Sequence, residues 1–142
     1  MIVNSNGARF MNVTALQRRI LIVDDNIEAA ELLQMLLGIQ GYDTRVAING
    51  HDGIEQVMDY RPHAICSDIM MPGMTGLEMV ARLKKTDCCP TTLFVAISGY
   101  SGESTAESIF AAGFDLFFVK PVAFDDVYDC LATHFARRDL PL

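Results

Sequence analysis

The sequence has no long hydrophobic run. Its longest extends only from Leu93 to Ile97, far below the roughly 18 apolar residues that a membrane-spanning helix needs, so no membrane insertion is expected. Met1 to Gln17 carries no basic stretch ahead of an apolar one, so no secretory signal is readable and the expected compartment is the cytoplasm. Positive charge is also scarce. Lys+Arg number 11 against 18 Asp+Glu, a net charge of −7, which disfavours a direct grip on nucleic acid phosphates or anionic lipid. The four cysteines, Cys66, Cys88, Cys89 and Cys130, show no CxxC spacing. A bridge between the neighbours Cys88 and Cys89 would be strained, so all four read as reduced thiols. There is no GxGxxG or P-loop string to cradle a nucleotide. His51, His63 and His134 share no metal-ligand spacing.

What is present is a core. Apolar residues make up 51% of the 142 and charged residues 20%, ordinary for one packed domain and too apolar for a disordered acidic chain. Unalternated apolar runs recur at Ile20–Val23, Ala64–Cys66, Leu93–Ile97 and Leu116–Val119, as in strands buried on both faces of a parallel sheet. A more polar strand over Tyr42–Ile48 is expected at the sheet edge. Between the strands lie helical patterns. Asn26 caps one carrying Ile27, Ala30, Leu33 and Leu37, stopped by Gly41; Asn49-Gly50 opens one carrying Ile54, Val57 and Met58, stopped by Pro62. Thr75 with Glu78, and Ser104 with Glu107, form capping-box patterns for two more. The last helix is expected from Phe124, turning Val127, Leu131, His134 and Phe135 to the sheet. Fivefold alternation of strand and helix predicts an α/β domain with a mostly parallel sheet. Residues 1–17 are weakly patterned and read as a mobile or loosely packed extension.

In open parallel sheets, ligands bind at the carboxyl ends of the strands. Here those ends carry Asp24-Asp25, Asp68, Ser98 and Lys120-Pro121, each directly after an apolar run. Three carboxylates brought together repel one another unless a cation intervenes. Mg2+ takes hard oxygen ligands and keeps positions open for phosphate, which fits Asp25 and Asp68, with Asp24 acting through water. Lys120 offers a point charge and Ser98 a hydroxyl to a phosphoryl group. The pattern describes a carboxylate that accepts phosphate. Phosphorylation of Asp68 would add charge and acceptor oxygens that draw Ser98 and Lys120 inward, leaving space for Phe117. Met70, Met71 and Met74 read as gap-fillers beside a Pro-Gly loop, and Phe110, Phe114 and Phe118 as core.

The strings Ile20-Leu21-Ile22-Val23-Asp24-Asp25-Asn26, Ser67-Asp68-Ile69-Met70-Met71-Pro72-Gly73-Met74-Thr75-Gly76, Ala96-Ile97-Ser98-Gly99 and Val119-Lys120-Pro121, in this order, resemble the receiver domain of two-component response regulators. The resemblance implies a flavodoxin-like fold, five parallel strands in order 2-1-3-4-5 with five helices, over residues 18–138, followed by a tail at 139–142. It implies that Asp68 is the phosphoacceptor, that Asp24, Asp25, Asp68 and the Met70 backbone carbonyl serve a Mg2+ cofactor, that Ser98 and Phe117 are the switch pair, and that the Lys120–Pro121 bond is cis. Met70 and Tyr100 stand where the family tunes dephosphorylation. The implied partners are a histidine kinase or histidine phosphotransfer protein and a downstream protein target, with no direct nucleic acid contact. The oligomeric state stays open, a phospho-dependent dimer included.

Other readings remain beside this one. A phosphohydrolase with a nucleophilic aspartate would carry an acid two residues after it, where Met70 stands, so no separate enzymatic turnover is expected. A docking module of the same fold that works without phosphorylation, and a receiver cut from a hybrid histidine kinase, are the remaining alternatives.

Overall fold

The computed structural model describes residues 2–3, 9–10, 18–99 and 105–139. The readings on the rest of the N-terminal extension, on Tyr100, on Ser104 and on residues 140–142 lie outside the described residues. Two short strands near the N-terminus, β1 (Ile2–Val3) and β2 (Arg9–Phe10), pair antiparallel with Ile2 opposite Phe10. Strands and helices then alternate: β3 (Arg19–Val23), α1 (Ile27–Ile39), β4 (Asp43–Ala47), α2 (Gly50–Tyr60), β5 (Ala64–Ser67), α3 (Gly76–Lys84), β6 (Leu93–Ser98), α4 (Ala106–Ala112), β7 (Leu116–Val119) and α5 (Phe124–Arg138).

The last five strands form one parallel sheet in the order β4-β3-β5-β6-β7, which is 2-1-3-4-5 counted along the chain. The unbroken apolar runs made this sheet because its central strands are covered on both faces. Residues 20–23 of β3 and all of β5 and β6 are buried. Side chains alternate by twos between two cores. Leu21, Val23, Ile65, Phe94 and Ala96 pack with Val57 of α2, Met79, Val80 and Leu83 of α3, and Ile109 of α4. Ile20, Ile22, Cys66, Val95 and Ile97 pack with Ala30 and Leu37 of α1 and Val127, Leu131 and Phe135 of α5. Among the described residues, helices therefore cover both faces, two on one and three on the other. Among the described residues no helix is long and apolar enough to cross a membrane.

Several local expectations need correction. Ile27 and Met58 do not join the core; they are 51% and 54% exposed. Phe110 is 49% exposed, because Ile109 takes the inward position and the next residue is rotated about 100° away. Phe118 is only half-buried, on a strand with neighbours on one side, and His134 is half-buried rather than packed inward. The α4 cap is Thr105, whose hydroxyl accepts from Ser108 N while Ser108 reciprocates, one residue after the Ser104–Glu107 box that the sequence pattern predicts. Thr75 and Glu78 do form their capping box on α3. At the opposite edge of the sheet from the strand ends, His63 joins three strands. It accepts from Arg19 N at Nδ1 (2.9 Å), donates its own N–H to Arg19 O (2.8 Å), and its carbonyl accepts from Leu93 N (3.0 Å).

Candidate functional site

The carboxyl ends of β3, β5, β6 and β7 project the polar groups onto one edge, because each strand stops within one residue of the end of its apolar run. Asp24 follows β3, its N–H donating to Ala47 O (3.1 Å), and Asp68 follows β5, its N–H donating to Val23 O (2.8 Å). These ladder extensions fix both backbones, so the carboxylates stand at set positions. Ser98 ends β6, and its carbonyl accepts from Lys120 N (2.9 Å), which brings Lys120 beside it. The Lys120–Pro121 peptide bond is cis.

Asp24, Asp25 and Asp68 each place a carboxylate oxygen within 4.8 Å of the others. Asp68 Oδ1 accepts from Ile69 N (2.7 Å) and from the Ser98 hydroxyl (2.7 Å). Lys120 Nζ lies 3.2 Å from Asp24 Oδ2 and 3.5 Å from Asp68 Oδ2, and Asp24 Oδ1 accepts from Asn26 N (2.9 Å). Asp24 and Asp68 are therefore oriented by four partners between them, whereas Asp25 is exposed. Burial pushes the Asp24 carboxyl above its ordinary range, against the pull of the Asn26 N–H and the Lys120 charge. For Lys120, burial favours the neutral amine, but the charges of Asp68 and Asp24 outweigh it and hold the ammonium above its usual value. Among the described residues, one ammonium against three carboxylates leaves a net charge of about −2 at the edge, the deficit that a divalent cation fills. The donor set is all hard oxygen, as Mg2+ prefers.

The remaining sequence candidates lie around this centre. Phe117, three residues before Lys120 on β7, is half-buried against the core formed with α2, α3 and α4 and pairs in register with Ala96. Met71 and Met74 fill gaps, at 5% and 4% exposure, whereas the Met70 side chain stands out at 44%. The edge opens on an apolar cleft of about 560 Å³ between α1 and α5, with Asp24, Asp68 and Lys120 at its rim and Leu32, Leu33 and Phe124 along it.

Two residues at the ends of the Ser67–Gly76 string position Asp68, a role the sequence did not assign to them. The Ser67 hydroxyl, fully buried, donates to Asp68 O (2.7 Å). Gly76 opens α3 against the Asp68 backbone, where a Cβ would collide with Asp68 O and sit 3.0 Å from Ile69 Cα. Glycine after a Thr cap is no usual helix-start residue, and that oddity was the available signal.

Comparison with known proteins agrees with this geometry. Residues 20–132 match the response regulator receiver domain family. An uncharacterized 14.6 kDa protein of Leptolyngbya boryana is 29% identical over 109 residues, covering 77% of this chain and 83% of that one. Response regulator MprA of Mycolicibacterium vanbaalenii is 32% identical over 112 residues, covering 77% of this chain and 46% of MprA. The DNA-binding response regulator MtrA of Mycobacterium tuberculosis is 33% identical over 81 residues, covering 57% of this chain and 36% of MtrA. The chain thus spans less than half the length of these two named regulators. Among solved structures, response regulator TrrA of Thermotoga maritima in complex with Mg2+–BeF superposes with a TM-score of 0.73 at 28% identity, covering 82% of this chain and 98% of that one. A CheY-like receiver protein of Methanospirillum hungatei gives a TM-score of 0.79 at 24% identity, covering 87% and 97%. The chain belongs to the response regulator receiver domain family of two-component systems.

Proposed function

We propose that the chain is a phosphorylation-activated signalling switch in which Asp68 takes a phosphoryl group from a phosphohistidine on a histidine kinase or histidine phosphotransfer protein. The observation that carries this reading is the convergence of Asp24, Asp25, Asp68, Ser98 and Lys120 on one edge of the sheet. Residues 18–138 form the receiver unit, acting in the cytoplasm. In the transfer, an Asp68 carboxylate oxygen bonds to the donor phosphorus as the P–N bond breaks, and the bonding pair returns to the imidazole nitrogen. Little proton chemistry is asked of the protein, so positioning and charge compensation carry the reaction.

Asp24, Asp25, Asp68 and the Met70 backbone carbonyl would hold Mg2+, which when bound neutralises phosphoryl charge. Lys120 keeps its ammonium beside Asp68 and adds a second positive group for the incoming oxygens. The Ser98 hydroxyl, now donating to Asp68 Oδ1, moves its hydrogen bond to a phosphoryl oxygen, and Phe117 turns into the space released. Such a coupling is typically worth about 1–3 kcal/mol, enough to shift an existing two-state population. The readout is an altered surface over α4, β7 and α5, recognised by a downstream protein. The apolar cleft opens at the same carboxylates, so a donor that reaches Asp68 also covers the exposed Leu32 of α1. Its own phosphorylation and dephosphorylation are the only reactions the chain performs.

Intact-mass spectrometry after incubation with acetyl phosphate tests the proposal. The expected result is a gain of one phosphoryl group with Mg2+, none with a chelator, and none in Asp68→Asn. No gain from acetyl phosphate or from a panel of phosphorylated histidine donors would overturn it in favour of docking without phosphorylation.

A further inference from the structure

We propose that Cys88 and Cys89, on the loop between α3 and β6, form a bidentate dithiol site for a trivalent thiophilic metalloid of the arsenic(III) and antimony(III) class. The two Sγ atoms lie 3.3 Å apart, near the spacing at which two sulfurs chelate a single pyramidal metalloid atom. The Thr86 hydroxyl donates to Leu83 O (2.8 Å) and lies 2.7 Å from Cys88 Sγ. Its one proton is thus committed to the carbonyl, and the Cys88 S–H must be the donor to Thr86 Oγ1. That fixes the Cys88 side chain and leaves its sulfur one lone pair, beyond the one facing Cys89, for a soft acid. Cys88 is half-buried while Cys89 is 8% exposed and seated in the core formed with α2, α3 and α4, so the pair is held rigidly with one sulfur accessible. The flanking Asp87 and Pro90 are exposed, which leaves an approach from solvent.

The chemistry selects the ligand class. Neighbouring Cα atoms are about 3.8 Å apart across a trans peptide, below the about 4.4–6.8 Å usual for disulfides. Direct S–S closure therefore strains the chain, whereas a bridge through one inserted atom does not. Burial, reinforced by the hydrogen bond to Cys88, holds the Cys89 thiol well above its ordinary range. This slows oxidation by peroxide, which needs the thiolate. Zn2+ takes four ligands, and among the described residues no third His, Cys, Asp or Glu stands with these two, whereas a monosubstituted arsenic(III) oxide needs only the two sulfurs. Its arsenic–oxygen bond breaks, two As–S bonds form, and both thiol protons leave with the oxygen as water; arsenic stays trivalent. The site lies at the amino end of β6, away from the Asp68 edge, so occupancy leaves the acidic site open.

The probe is phenylarsine oxide, added in equimolar amount to the intact chain and followed by intact mass and thiol titration. One adduct per chain is expected, with two thiols lost, resistant to excess glutathione and reversed by ethanedithiol. Cys88→Ser and Cys89→Ala should each abolish the glutathione-resistant adduct, while Cys130→Ser keeps it. Circular dichroism confirms folding, and Cys88→Ser, at the more exposed position, decides the matter if Cys89→Ala unfolds. An adduct that persists in Cys88→Ser, one stripped by glutathione, or none at all would overturn the site.

Discussion

Asp24 carries a charge that the fold tolerates at a cost. Its native carboxyl titrates above the ordinary value of 3.8, chiefly because of burial. The native state thus holds this proton more tightly than the unfolded chain does. Its contribution favours folding most below pH 3.8 and is lost as pH rises through the raised native value. In chelator, Asp24→Asn should therefore be more stable than the wild type near neutrality, with the gap narrowing towards pH 4. Melting curves across that range check it, and a less stable variant at pH 7 would mean that the ion pair with Lys120 dominates. Lys120 has the complementary sign. Its raised native value contributes stability that is complete below 10.5 and lost as pH climbs through the higher native value. Gly76 is constrained by space. A methyl group there meets the Asp68 backbone, so Gly76→Ala should cost on the order of 2 kcal/mol and slow phosphorylation of Asp68, measured by denaturant melts and by mass gain against time.

At the scale of elements, the strands were legible and several helix details were not. The continuous apolar runs at Ile20–Val23 and Leu93–Ile97 admit no other placement than a doubly covered strand. Tyr42 to Ile48 betrayed its edge position through its polar alternation, and only Ala47 of β4 is buried. The α4 cap was misplaced because Ser104, Thr105, Glu107 and Ser108 offer two overlapping capping boxes, and local spacing cannot choose between them. Exposure of Ile27 and Phe110 was hidden for a similar reason, since burial depends on which neighbours pack beside the helix. The tie at His63 was also invisible, because it joins residues 44 positions apart. Its Nδ1 accepts from Arg19 N, so the ring is neutral there. Burial and the charges of Arg19 and Arg18 hold its proton affinity below the ordinary 6.5. That stability is present above pH 6.5 and lost as pH falls below it. The melting temperature should therefore drop between pH 7 and 5.5, and His63→Asn should show a shallower drop, with His134 supplying part of the remainder. An unchanged slope in the variant would place the pH dependence elsewhere.

For the whole molecule, the acidic site was legible because parallel topology sends every strand end to one edge, so residues far apart in sequence converge once the strands are identified. Asp24, Asp25, Asp68, Ser98 and Lys120 could be named on that ground. The supports beneath them could not, since Ser67 and Gly76 act on the Asp68 backbone by close approach, which leaves no pattern in spacing. The net charge at the edge should link metal binding to folding. Mg2+ at about 100 times its Kd should stabilise the chain by about 2.7 kcal/mol. Asp25→Asn, at an exposed position, should remove most of that increment while leaving the metal-free stability within about 0.5 kcal/mol of the wild type. Thermal melts with and without Mg2+ measure both. The account as a whole turns on which carboxylate takes the phosphoryl group. Borohydride reduction of the acetyl phosphate-treated chain converts an aspartyl phosphate to homoserine, which peptide mass mapping then locates. Homoserine at position 68, formed only with Mg2+, is the expected result; homoserine at position 24 or 25 instead, with Asp68 intact, would contradict it.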